Sequence, residues 1–176
     1  MGMELQLHQQ LELGLDVAFA NTGVVIVEDN NVIYGQAIVT GKDKTVKYVM
    51  DSHRNRCATI AKELQQVIDK YKPVKAYVEL PTGASQSAIS SLTMGMAIGV
   101  AVTVLWFNKI PAIYVKPIDV KKATDGSYKA TKEEVEAVVR QQFNWSTWPK
   151  NKGVREHICD ALGAILAGRE RVCMEV

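Results

Sequence analysis

Four residues in this chain combine a chemistry-bearing side chain with an apolar setting. Asp16 sits in the run Leu13–Phe19, and Glu79 closes the run Val74–Leu80. His157 and Asp160 are three apart, so on a helix they share one face. A carboxylate among apolar neighbours is costly unless it is paired or holds a metal. Hard divalent cations such as Mg²⁺ take carboxylate oxygens, and an imidazole in the set suits Mn²⁺ somewhat better. Two such ions about 4 Å apart can activate a water and stabilise a leaving oxygen, which is the chemistry of phosphodiester cleavage. Each residue also has an ordinary reading. Asp16 and Glu79 could be strand acids facing solvent, His157 a helix-surface residue, and Asp160 a partner for Arg155 or Arg169. Taken together, four such residues on rigid elements favour a metal site.

The elements that must position them follow from the hydrophobic pattern. Alternation predicts a strand over Leu13–Phe19, with Asp16 on the face opposite Leu15 and Val17. Asn21-Thr22-Gly23 is a turn signal before a second strand, Val24–Glu28, and Asp29-Asn30-Asn31 is a hairpin signal before a third, Val32–Val39. The loop Thr40–Lys47 carries Lys42, Lys44 and Lys47. Asp51 or Ser52 is expected to cap a helix that runs to Tyr71, with one face formed by Cys57, Ile60, Ala61, Leu64, Val67, Ile68 and Tyr71. A fourth strand, Val74–Leu80, ends at the break Pro81-Thr82-Gly83. A long uncharged helix is expected over Gln86–Phe107, then a fifth strand, Ala112–Val115.

The segment Asp119–Thr131 reads as a polar, lysine-rich stretch with Lys121, Lys122 and Lys129. Thr131-x-x-Glu134 is a capping box that opens a helix to Phe143. After a loop over Asn144–Gly153, a last helix should run from Val154 to Ala167, with Gly168 as its stop. Three strands joined by short turns are antiparallel. The fourth and fifth return by helical crossovers and should be parallel to the first. The expected architecture is a mixed five-stranded α/β sheet covered on both faces.

Composition narrows the class. The chain of 176 residues suits one domain with a sizeable core, and 47% hydrophobic with 23% charged residues is ordinary for a globular protein. A net charge of +2 leaves nucleic acid to be argued from local patches. Cys57, Cys159 and Cys173 form no CxxC pair, which suits a reducing compartment. Met1–Gln10 is polar and lacks the apolar centre of a secretory signal, so a cytoplasmic location is expected. The strongly apolar part of the uncharged run, Met94–Phe107, falls short of the roughly 20 residues a bilayer requires, so it is expected to be a buried helix and not a membrane span.

Three motifs then carry a resemblance. The opening acid with Thr-Gly behind it, Asp16-V-A-F-A-N-Thr22-Gly23, the strand-ending Glu79, and the closing His157-I-C-Asp160-A-L occur in this order. Their spacing resembles that of the RuvC-type Holliday-junction resolvases, over about Leu11 to Ala167. The segment from Val120 to Val135 also aligns without gaps with the family's basic segment, with Lys121 and Lys132 at matching positions.

The resemblance implies a ribonuclease H-like fold and structure-selective cleavage of branched DNA, with two Mg²⁺ or Mn²⁺ ions held by Asp16, Glu79, His157 and Asp160. It implies DNA contacts from Lys121 and Lys132, joined by Lys122 and Lys129. Because a four-way junction is nearly two-fold symmetric, it also implies a homodimer. The uncharged helix is the candidate interface, being more apolar than one face against a sheet requires. Two departures stand out. Val17-Ala18 replaces the family's Pro-Gly, and Thr82 occupies the position of an aromatic wedge. Both point to a relaxed preference among branched DNAs, as in resolvase-like proteins of phages and mobile elements. The alternatives are an RNA-cleaving nuclease of the same fold, a catalytically inactive nucleic-acid scaffold, and a nucleotide-binding module of the actin or sugar-kinase kind. The last usually needs a second, similar domain.

Overall fold

The computed structural model describes residues 10–80 and 87–174. The break at Pro81-Thr82-Gly83, the wedge position Thr82 and the expected helix start at Gln86 lie outside the described residues. Strict alternation governs β1 (Leu11–Asp16). Leu13 and Leu15 are fully buried on one face, and Glu12, Gly14 and Asp16 take the other. The strand stops at Asp16, three residues before the expected end, although Val17 and Phe19 remain buried beyond it.

β2 (Asn21–Glu28) and β3 (Asn31–Val39) continue an antiparallel meander from β1. β4 (Lys75–Glu79) pairs parallel with β1, and β5 (Ala112–Val115) parallel with β4, so the order across the sheet is β3-β2-β1-β4-β5. This is the expected mixed topology.

Two layers of helix cover the sheet. α1 (Val49–Tyr71) and α2 (Ala88–Phe107) pack on the Leu13–Leu15 face, where Ile60, Leu64 and Ala97 meet Ile26 and Val78. α3 (Pro117–Asp125), α4 (Lys132–Gln142) and α5 (Lys152–Met174) cover the opposite face, with Val120, Val139, Ile158 and Leu162 against Val25 and Tyr77. The Thr131–Glu134 capping box forms as expected, with the Thr131 N–H donating to Glu134 Oε2 at 2.7 Å.

Asn21-Thr22-Gly23, expected as a turn, instead opens β2 with Gly23 opposite Asp16, and four further expectations need correction. The N-cap of α1 is Tyr48, which makes no side-chain capping bond. Asp51 falls in the first turn, and the Ser52 hydroxyl accepts from the Asp43 N–H at 3.0 Å. Pro117–Asp125 is a helix where a polar stretch was expected. Pro117 opens it, and among its described side chains only Val120 and Thr124 are buried, too few to show a period in the sequence. α5 passes through Gly168 to Met174. That glycine lies directly on the ring of Tyr77, so it is a close-packing residue and not a stop.

The last correction concerns α2, which is not a buried helix. Only Ala97, Ala101 and Leu105 are buried, one narrow stripe at i, i+4 and i+8, while Ile89, Leu92, Trp106 and Phe107 are exposed. At 20 residues and a mean hydropathy of 1.9 it is also long and apolar enough, by length and composition alone, to cross a membrane.

Candidate active site

Register brings the first two acids together. Asp16 and Glu79 are paired neighbours at the C-terminal ends of the parallel strands β1 and β4, and the Val17 N–H donates to the Glu79 carbonyl at 3.4 Å. Alternation gives both side chains the face that α5 covers. The helix can approach so closely because two strand residues lack a side chain. A Cβ on Gly23 would strike the backbone carbonyl of His157, and one on Gly14 would strike that of Ala161. Gly23 is therefore the packing reason for the Thr-Gly that follows the first acid. Thr22 closes the turn by donating its hydroxyl to the Ala18 carbonyl at 2.7 Å.

This crossing sets His157 Nδ1 at 2.8 Å from Asp16 Oδ2. Asp160, one turn on, faces Lys132 of α4, whose Nζ is 3.7 Å from its Oδ2. Glu156, which the sequence reading did not single out, holds the same ammonium at 3.2 Å and is itself 3.8 Å from Lys152. Its i−4 spacing from Asp160 was the available signal. Asp160 has neither Arg155 nor Arg169 as a partner, because those bind Glu136 and Glu12. A cavity of about 130 Å³ opens between the sheet and α3–α5, lined by Glu79, Lys121, Thr131, Lys132 and Asp160. Lys121 and Lys132 thus share a cavity with two of the acids. Lys122 and Lys129 are exposed outside it, Lys129 lying over the Tyr128 ring.

The electrostatics are strained. Burial, reinforced by Asp16 and Asp160, pushes the Glu79 carboxyl up to about 9 against the pull of Lys132. Burial and then Asp16 raise Asp160 to about 6. The Asp16 hydrogen bond holds His157 above the usual imidazole range, with burial opposing it and Asp160 helping. Burial works against the Lys132 charge, but Asp160 and Glu156 outweigh it and raise its pKa. The Lys132 ammonium and the His157 ring face four carboxyls, Asp16, Glu79, Glu156 and Asp160, so protons are held where cations are lacking.

Among the described residues no three His, Cys, Asp or Glu side chains already converge as a metal-binding group. Asp16 is instead turned to the imidazole. The donor chemistry nonetheless suits a hard divalent cation, with carboxyl oxygens from two strands and a helix beside one imidazole nitrogen.

The sheet order and the placement of the helices define a ribonuclease H-like fold. A profile of the crossover junction endodeoxyribonuclease RuvC family matches residues 12–167. RuvC of Chlorobium chlorochromatii is 29% identical over 159 residues, covering 90% of this chain and 81% of that protein. RuvC of Prochlorococcus marinus is 30% identical over 156 residues, covering 89% and 96%. The structure of Thermus thermophilus RuvC in complex with a Holliday junction substrate superposes with a TM-score of 0.79 at 20% identity, over 94% of this chain and 96% of that one. The yeast mitochondrial Holliday junction resolvase superposes at 0.66 and 11% identity, over 94% and 81%. The chain belongs to the RuvC family of crossover junction endodeoxyribonucleases.

Proposed function

We propose that Asp16, Glu79, His157 and Asp160 form a divalent-cation centre that hydrolyses phosphodiesters in four-way junctions and related branched DNA. The observation that carries this reading is the uncompensated cluster. Burial and mutual repulsion drive Glu79 to about 9 and Asp160 to about 6, and a divalent cation is the natural replacement for the protons they hold. Mg²⁺ or Mn²⁺, two per site, would activate a water and neutralise charge on the leaving oxygen. Asp16 stands between Glu79 on the neighbouring strand and His157 on α5, the position from which one carboxylate can serve two cations. His157 binds only as the neutral imidazole, so binding must release one of its protons, and Nε2 can take the cation while Nδ1–H keeps donating to Asp16. Lys121 and Lys132, on the wall of the cavity, are assigned to the phosphate beside the scissile bond.

The substrate class follows the family and the junction-bound Thermus relative. A nearly two-fold junction calls for two sites in fixed relation, hence a homodimer. The exposed apolar side of α2, with Ile89, Leu92, Trp106 and Phe107, is the surface assigned to it. The test is cleavage of labelled four-way junction, fork, linear duplex and single-stranded RNA side by side with Mg²⁺ or Mn²⁺. The junction should be cut faster than duplex, and only with a divalent ion. Preferential cutting of RNA, or cutting in chelator, would overturn the reading.

A further inference from the structure

Where β3 leaves the sheet, the chain forms a cationic shoulder before α1. Val39 pairs with Asn21, and the Thr40 N–H donates to the Ala20 carbonyl at 2.8 Å, so this shoulder stands at the same end of the sheet as Asp16. Its acids are engaged locally. Asp43 accepts from the Thr45 N–H at 2.9 Å and from Asn55 Nδ2 at 3.1 Å, and Asp51 lies 3.5 Å from Arg54. Lys42, Lys44 and Lys47 are exposed and have no acidic partner among the described residues. Tyr48, Val49 and Met50 are exposed beside them, an apolar surface that sugar edges can cover.

The shoulder is also fixed relative to the acid cluster. Arg56 donates from Nε to Thr40 Oγ1 at 2.9 Å and from Nη2 to the Phe19 carbonyl at 3.1 Å, and its guanidinium lies 3.9 Å from the Phe19 ring centroid. Phe19 is three residues beyond Asp16. Lys121, Lys122, Lys129 and Lys132 follow the other edge strand, β5. Two cationic banks thus leave opposite edges of one sheet, at the end where Asp16 and Glu79 lie on its central strands.

We infer that Lys42, Lys44 and Lys47 form a second DNA-backbone contact, which holds a duplex arm of the substrate away from the scissile phosphate. The inference rests on the DNA-cleaving reading above. Lysine ammonium groups act on phosphate as point charges and carry no sequence information, which suits an enzyme selecting shape. Asp43 and Asp51 are outnumbered on this surface by Lys42, Lys44, Lys47 and Arg54, so its net charge remains positive.

The test uses the full chain with Lys42→Ala, Lys44→Ala and Lys47→Ala combined. Binding of a labelled four-way junction is followed by fluorescence anisotropy in chelator across a salt series. Each lost phosphate contact removes about 0.9 from the slope of log affinity against log salt, so the slope should flatten by about 2–3 and Kd near 0.1 M salt should rise about 10- to 100-fold. Single-turnover cleavage at saturating junction should stay within about twofold of wild type, because these side chains lie outside the acid cavity. All three are exposed, and an unchanged melting temperature confirms folding. Charge reversal at the same positions should weaken binding further. Wild-type slope and Kd in the triple variant, beside a wild type that binds normally, would overturn the shoulder alone. A lowered cleavage rate at saturation with unchanged Kd would also overturn it. A wild type that neither binds nor cuts branched DNA would overturn the DNA-cleaving reading itself.

Discussion

One strand, β1, carries a buried acid near its start and a half-buried one at its end, and the two are treated in opposite ways. At its start, Glu12 is 6% exposed and fully partnered. Lys75 Nζ lies 2.8 Å and the Tyr77 hydroxyl 3.1 Å from Oε1, and the Arg169 guanidinium grips Oε2 while also reaching the Asp29 carbonyl. Burial opposes the Glu12 charge, but Arg169 and Lys75 outweigh it and hold its pKa below the usual carboxylate range. At the other end, Asp16 has a neighbouring acid on β4, another on α5, and an imidazole. The fold therefore has the means to satisfy a buried carboxylate, and uses them at one end only. Satisfied acids tie elements together, whereas unsatisfied ones store a demand for positive charge that a ligand can meet.

The largest contrast is expected in activity. Asp16→Asn should lower junction cleavage by at least about 100-fold while leaving Kd for the junction within about threefold, since a carboxylate acting on the transition state contributes little to substrate affinity. Its unfolding free energy should move by less than about 1 kcal/mol, because the lost His157 bond is offset by relief of Glu79 and Asp160. A variant cutting at the wild-type rate would remove Asp16 from the chemistry.

Glu12→Ala should behave in reverse. It leaves Lys75 and Arg169 facing each other without their acid. Denaturant unfolding should show a loss of about 2–3 kcal/mol, below the range for a fully buried pair because both cations keep part of their surface in solvent. Cleavage at a temperature where the variant remains folded should be near wild type.

Stability against pH should separate the two ends by sign. Glu79 and Asp160 have folded pKa values raised to about 9 and about 6, so the folded state holds protons that the unfolded chain releases near pH 4–4.5. Their contribution is present below the unfolded values and is lost as pH rises through the folded ones. His157, also raised, acts in the same direction. Glu12 is lowered, so its contribution is present above its unfolded value and lost as pH falls through the folded one. Cation-free protein should therefore lose stability as pH rises between about pH 5 and pH 9, and Glu79→Gln should flatten that decline. An unchanged slope in Glu79→Gln would deny that the proton sits there.

The fate of each sequence expectation has a physical reason. Alternation and turn chemistry are local, so the five strands, their directions and the face of β1 that carries Asp16 were legible. The i, i+3 spacing placed His157 and Asp160 on one side of α5. Other features were not legible. Among the described side chains of α3 Val120 and Thr124 alone are buried, which is too short a pattern to stand out among lysines. Gly168 was read by the usual meaning of glycine near a helix end, whereas contact with Tyr77 decides it. Glu12 shares the parity of Asp16 and so was visible in principle, but its partners come from β4 and the far end of α5, which only the fold reveals.

The claim that the Asp16 end is built to take cations is tested most directly by melting cation-free protein with and without Mn²⁺ at about pH 8. A ligand at 100 times its Kd stabilises by about 2.7 kcal/mol, so wild type and Glu12→Ala should both gain a clear rise in Tm, smaller at about pH 6, where protons compete. Asp16→Asn should gain little. A wild-type Tm indifferent to Mn²⁺, or an equal rise in Asp16→Asn, would contradict the account.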